Sequence, residues 1–134
     1  MKDIVLDASV AIKWFIKEEG DAEAKRLLKS LKSGSLIAYV PQIFFFEIGN
    51  VFSLHTEIPI DSVGRFLDSL FSLGLKTENV TEEFLEGVIR ASHQNNITAY
   101  DASYITLAKL LNADLITADK KLKDKIKLPF VKLL

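Results

Sequence analysis

Apolar residues run unbroken from Ile4 to Leu6 and from Leu36 to Val40, the pattern of strands covered on both faces. Between them the spacing changes to that of helices. Val10, Trp14 and Ile16 recur at helical intervals from Ser9 to about Ile16, with Ser9 placed as an N-cap. EEGDAEAKRLLKSLKSG, which closes on Gly34, sets Ala24, Leu27, Leu28 and Leu31 on one stripe. Pro41 suits the first turn of a third helix, IFFFEIGNVFSLHTE, which has to end before Pro59. Val63, Phe66, Leu67, Leu70 and Phe71 predict a helix over 60–73, and Thr81 with Glu82 and Glu83 opens another that runs to about Asn95. After NNIT, the run YDASYITLAKLLN is helical; LKTENV, ADLITAD and FVKLL supply a weak, a short and an edge strand.

Strands alternating with helices through short connections predict a three-layer α/β/α sandwich around a central, mainly parallel sheet of four to five strands. With 134 residues and no low-complexity tract or linker, the chain is expected to form a single domain over 1–134. Ligands of such sheets bind beyond the carboxyl ends of the strands. Two strands end there on an acid, DIVLD on Asp7 and DLITAD on Asp119, each with a hydroxyl two positions away, Ser9 and Thr117. Either aspartate by itself is equally a cap or turn residue.

Glu47 is harder to assign to the surface, because Ile43, Phe44, Val51 and Leu54 surround it on the helical wheel. No Lys or Arg lies near it in sequence, so its counter-charge is either a distant basic side chain or a metal. Asn50, almost one turn on, is a candidate support or a plain surface amide. Asp101 opens a helix, where a carboxylate suits the helix dipole. Should these elements share one sheet edge, Asp7, Glu47, Asp101 and Asp119 gather there, and like charges so placed make sense chiefly around a divalent cation.

Composition narrows the chemistry. The absence of cysteine removes thiolate nucleophiles, disulfides and Cys-based zinc sites, and suits a reducing cytoplasm. His55 and His93 stand in polar helix ends and read as solvated residues. Oxygen donors select Mg²⁺ or Mn²⁺, and a hydrated ion of that kind suits hydrolysis of phosphodiesters. Lys and Arg number 17 against 18 Asp and Glu, so a polyanion has to be held locally rather than by a global field. Lys120, Lys121 and Lys123, directly after Asp119, are candidate contacts to a polyanion's backbone, or else one solvated helix face. Trp14 and Phe15 read as core residues before base-stacking ones. No apolar run is long enough to cross a membrane, and none at the N-terminus makes a signal-peptide core, so no membrane partner is expected.

Three stretches then resemble a known family, the PIN-domain ribonucleases, and within it the VapC-like toxins of toxin–antitoxin pairs. VLDASVAIKWF is similar to the first strand and D-x-S/T signature, PQIFFFEIGNVF to the acidic helix, and YDASYITLAKLLNADLITADKKL to the second half. The resemblance implies catalytic and metal-binding roles for Asp7, Glu47, Asp101 and Asp119, with Ser9, Asn50 and Thr117 supporting. It implies a cytoplasmic Mg²⁺- or Mn²⁺-dependent endoribonuclease that forms a homodimer and is silenced by a small antitoxin. Gln42 stands where some relatives carry an acid. The competing readings are a PIN-fold RNA-binding protein without turnover and a haloacid-dehalogenase-like phosphohydrolase. The latter wants a second acid where Ser9 stands and leaves Glu47 unexplained. A receiver-like module lacks its acceptor aspartate, since LIAYV runs into Pro41.

Overall fold

The computed structural model describes residues 2–55 and 57–134. In chain order its elements are β1 (Lys2–Leu6), α1 (Ala8–Ile12), α2 (Asp21–Ser33), β2 (Leu36–Pro41), α3 (Ile43–Leu54), α4 (Val63–Phe71), β3 (Lys76–Glu78), α5 (Glu82–Asn95), α6 (Ala99–Leu111), β4 (Asp114–Thr117), α7 (Lys120–Lys125) and β5 (Val131–Leu133). A single 3-10 turn, Ile60–Ser62, leads into α4. The five strands are all parallel, in the order β3-β2-β1-β4-β5. That is the expected α/β/α sandwich at the upper end of the expected strand number.

Burial explains the order. Ile4, Val5 and Leu6 are all buried, so β1 needs cover on both faces and takes the centre, while the three-residue strands β3 and β5 take the edges. Right-handed crossovers put α1 to α4 on one face and α5 to α7 on the other. Helix α6 packs across β1, β2 and β4 and carries α5 on its outer side.

Several boundaries differ from expectation for local reasons. Helix α1 begins at Ala8 with Asp7 in the N-cap position, because the Ser9 hydroxyl is engaged elsewhere. The helix ends at Ile12, short of Ile16, and in the turn that follows Trp14 Nε1 donates to the Ala24 carbonyl while Phe15 packs between Phe52 and Phe66, so both rings belong to the core. Pro41 ends β2 instead of opening α3. Helix α3 stops at Leu54, short of the HTE segment, and Thr56 of that segment lies outside the described residues. Gln42 is a tether: its Oε1 accepts the Val80 amide at 2.8 Å. Gly20 and Gly34 flank α2 at φ 85° and 81°, the left-handed geometry that glycine adopts without strain.

Leu6 is fully buried and is the last residue before Asp7. Leu6→Ala is expected to cost about 3 kcal/mol in chemical denaturation. Lys2→Ala, which breaks the exposed Lys2–Asp114 pair, is expected to cost less than about 1 kcal/mol.

Candidate active site

The chain leaves β1 toward β2 on one side and leaves β4 toward β5 on the other, so the crevice between the carboxyl ends of β1 and β4 is the topological switch point. Asp7 follows β1 and Asp119 lies just beyond β4, on either side of that crevice. Asp7 is almost fully buried. Its Oδ2 accepts from Ser9 Oγ at 2.9 Å and from Thr117 Oγ1 at 2.7 Å. Each hydroxyl in turn accepts a backbone amide of the turn after β4, Ser9 from Ala118 at 2.9 Å and Thr117 from Asp119 at 3.0 Å. An amide on the lone pair turns each hydroxyl proton toward Asp7. Both bonds fall on one oxygen of Asp7, and the other takes neither.

Asp119 caps α7, its Oδ1 accepting the Leu122 amide at 3.2 Å. Asp101 stands in the first turn of α6, which is capped by Thr98. The two acids share a hollow with Thr98, Asn96, Lys121 and Lys125. Glu47 reaches the same edge from α3 by a route the sequence did not suggest. Its hydrogen-bond partner is not a basic side chain but a phenol: Tyr104 Oη donates to Glu47 Oε1 at 2.5 Å and accepts the Ala8 amide at 3.4 Å.

The charges of these groups register on one another. Burial raises the Asp7 carboxyl above its ordinary range, its two hydroxyl bonds work against that, and the charge of Asp119 adds to it. Burial likewise raises Asp101, with the charges of Asp7 and Asp119 adding and Thr98 and Lys125 opposing. Glu47 is pushed from 4.5 up to about 7, first by burial, then by the charges of Asp7 and Asp101, against the pull of the Tyr104 bond. Tyr104 itself is driven upward by burial and by Asp7 and Glu47, so its proton stays on.

Among the described residues, no three carboxylate or imidazole groups converge on one point, so the acids line an edge rather than enclose an ion. Among the described residues no cation stands at ion-pair distance from them either. The ion pairs among the described residues are Lys2–Asp114, Lys13–Glu18, Lys25–Asp21, Arg26–Glu23 and Arg90–Glu86, and none involves the four acids. Hard oxygen donors whose negative charge is offset only in part, by Lys125 at Asp101, fit a divalent cation in kind.

The remaining candidates divide. Asn50 is exposed, makes no hydrogen bond to Glu47 among the described residues, and shares a separate groove with it and Tyr100. Lys120 and Lys121 border Asp119 in a second hollow beside Lys13 and Gly20. Lys123 lines a different hollow with Lys127 and Pro129. Lys125 joins Lys121 beside Asp101 instead, as their i, i+4 spacing on one helix face allows. Tyr104 went unread because it stands among apolar residues, although its place three after Asp101 puts both on one side of α6. His55 is half-buried at the end of α3 and His93 lies on α5, apart from the acids.

The sequence matches the PIN domain family over residues 4–128. Ribonuclease VapC3 of Pyrobaculum aerophilum is 27% identical over 130 residues, which covers 91% of this chain and 93% of that protein. Among solved structures, a crystal structure of a Pyrobaculum aerophilum protein superposes with a TM-score of 0.70 at 22% identity, over 94% of this chain and 81% of the other. A chain of a toxin–antitoxin complex from Klebsiella pneumoniae does so with a TM-score of 0.67 at 18% identity, over 98% and 95%. The two superpositions are likenesses of fold. No helix among the described residues is long and apolar enough to cross a membrane.

Because the folded chain holds the Glu47 proton more tightly than the unfolded chain does, the contribution of Glu47 to metal-free stability is fully present below pH 4.5 and is lost as pH rises through 7. Glu47→Gln is therefore expected to stabilise the metal-free protein at pH 8 by about 1 kcal/mol, a figure discounted for the solvent that reaches this half-buried group. The gain should vanish by pH 4.5 in paired thermal melts; a variant less stable at pH 8 would contradict it.

Proposed function

The chain belongs to the PIN-domain family, and from that membership we propose that it is an endoribonuclease dependent on Mg²⁺ or Mn²⁺, built as one PIN-like domain over 1–134 and acting as the toxin of a toxin–antitoxin pair. The observation that carries the reading is the edge at the β1/β4 switch point, where Asp7, Glu47, Asp101 and Asp119 stand without a cation in ion-pair contact. These four are the residues that would hold the metal. When bound, a divalent cation supplies Lewis acidity toward a phosphoryl oxygen and a water acidic enough to attack near neutral pH.

The chain's own residues do the rest. Ser9 and Thr117 fix Asp7 through one oxygen and leave the other for a ligand. Glu47 adds an acid from α3 that is held through one oxygen by Tyr104. Lys121 and Lys125 flank Asp101 and Asp119 and suit backbone phosphates, with Lys120 on the neighbouring hollow. In this reading Lys123 faces away, and Asn50 belongs to the groove beside Glu47.

The wider setting follows from the relatives: VapC3 is named a ribonuclease, and the Klebsiella pneumoniae chain comes from a toxin–antitoxin complex. A small antitoxin, a homodimer and a cytoplasmic location belong to the same proposal. Phe46, Leu54, Ile60 and Phe71 are exposed apolar surface that such protein partners would cover. The phosphohydrolase alternative is not favoured, since the position that should carry its second acid holds Ser9, whose proton is committed to Asp7.

The test is cleavage of a panel of structured RNAs by the purified, antitoxin-free protein with Mg²⁺ or Mn²⁺. Asp7→Asn and Asp101→Asn are each expected to lower the rate at least about 100-fold with the fold retained. A wild type that binds RNA but cuts none would leave the non-catalytic PIN reading. Equal cutting by the variants would overturn the site.

Salt dependence of RNA binding separates the lysines. Lys121→Ala and Lys125→Ala, made in the Asp7→Asn background, should each reduce the slope of log K against log salt by about one. Lys123→Ala should leave the slope unchanged; a loss there equal to that at Lys125 would contradict the assignment.

A further inference from the structure

Tyr104 is 1% exposed, and its ring lies in the core between β1 and the outer helices, where a phenylalanine would pack as well. Its hydroxyl is therefore an expense in a site that apolar packing alone would not require. That hydroxyl bridges two elements no other described side-chain hydrogen bond joins: it donates to Glu47 on α3 and accepts the Ala8 amide at the head of α1, the residue directly after Asp7. Glu47 needs such a hold. Its carbons stand on a helix whose neighbouring positions Phe44 and Ile48 are buried, while Phe46 and Asn50 point to solvent, so the carboxylate has a wet and a dry alternative.

We propose that Tyr104 is a positioning residue for the acidic set: its phenol occupies Oε1 of Glu47, ties that carboxylate to the first turn of α1 beside Asp7, and leaves Oε2 for a cation. The proposal rests on the reading of Glu47 as a metal-holding acid and adds a residue to it. Acceptance of the Ala8 amide gives the phenol its direction, since the bond to the main chain uses a lone pair and aims the proton at Glu47. Asp7 and Glu47 are thereby referred to one fixed point, the first turn of α1. A donor that orients a ligand in this way usually changes metal affinity more than it changes folding.

The test is calorimetric titration of the RNA-free, full-length protein with Mn²⁺. Tyr104→Phe keeps the ring and is expected to raise the Kd for Mn²⁺ about tenfold. Ile105→Val, a truncation in the same core, should leave the Kd within about twofold. A Tyr104→Phe variant with wild-type affinity, or an equal loss in Ile105→Val, overturns the role of Tyr104 while the metal reading stands. A wild type that takes up no Mn²⁺ overturns both. Carbon-13 spectra of the wild-type tyrosine Cζ groups make the question independent of whether the Phe variant folds. The Tyr104 resonance should move as Mg²⁺ is added while that of Tyr39 does not, and a static Tyr104 resonance overturns the proposal.

Discussion

A carboxylate buried at the end of a central strand has to be met by donors, and the way Asp7 is met organises the rest of this molecule. Two hydroxyls, Ser9 from α1 and Thr117 from β4, deliver protons to one of its oxygens. Both are aimed by amides of the turn that carries Asp119. The two bonds that solvate Asp7 and the two that aim them therefore stitch the end of β1 to the end of β4 and fix where Asp119 begins α7. Neutral donors can orient a charge, but they do not cancel it.

The uncancelled charge gives the edge its chemical direction. Asp101 and Glu47 arrive from α6 and α3; the charge of Asp101 adds to the cost of ionising Glu47, those of Asp7 and Asp119 to the cost of ionising Asp101, and Lys121 and Lys125 stay outside ion-pair distance of the acids they flank. Carboxylates whose ionisation is opposed in this way cost stability when they are charged. The parallel fold makes this possible, because the switch point between β1 and β4 opens a crevice at the place where strand ends and helix starts deliver their side chains.

Much of this was legible in the chain. Unbroken apolar runs at Ile4–Leu6 and Leu36–Val40 announced buried parallel strands, and a strand that ends on an aspartate marked the edge to examine. The misreadings share a cause: one-dimensional periodicity tells which face a residue occupies but not which distant atom it meets. Ser9 looked like a cap because capping is what serine does locally, whereas its proton goes to Asp7 and its lone pair to Ala118. Glu47 had no partner near it in sequence, and the donor that holds it is a phenol fifty-seven residues away. Tyr104 was hidden by its own burial. Lys123 and Lys125 were separable by helical spacing, since a helix turns them to different sides.

The central claim is that the negative charge at this edge is held for a divalent cation, and the most direct probe of it is the Glu47 carboxyl. Its Cδ resonance, followed by carbon-13 NMR against pH in the RNA-free protein, should titrate near 7 without metal and shift to lower pH as Mg²⁺ is added, because a bound cation favours the ionised form. A titration near 4.5 without metal, or one near 7 that Mg²⁺ leaves in place, would contradict the account.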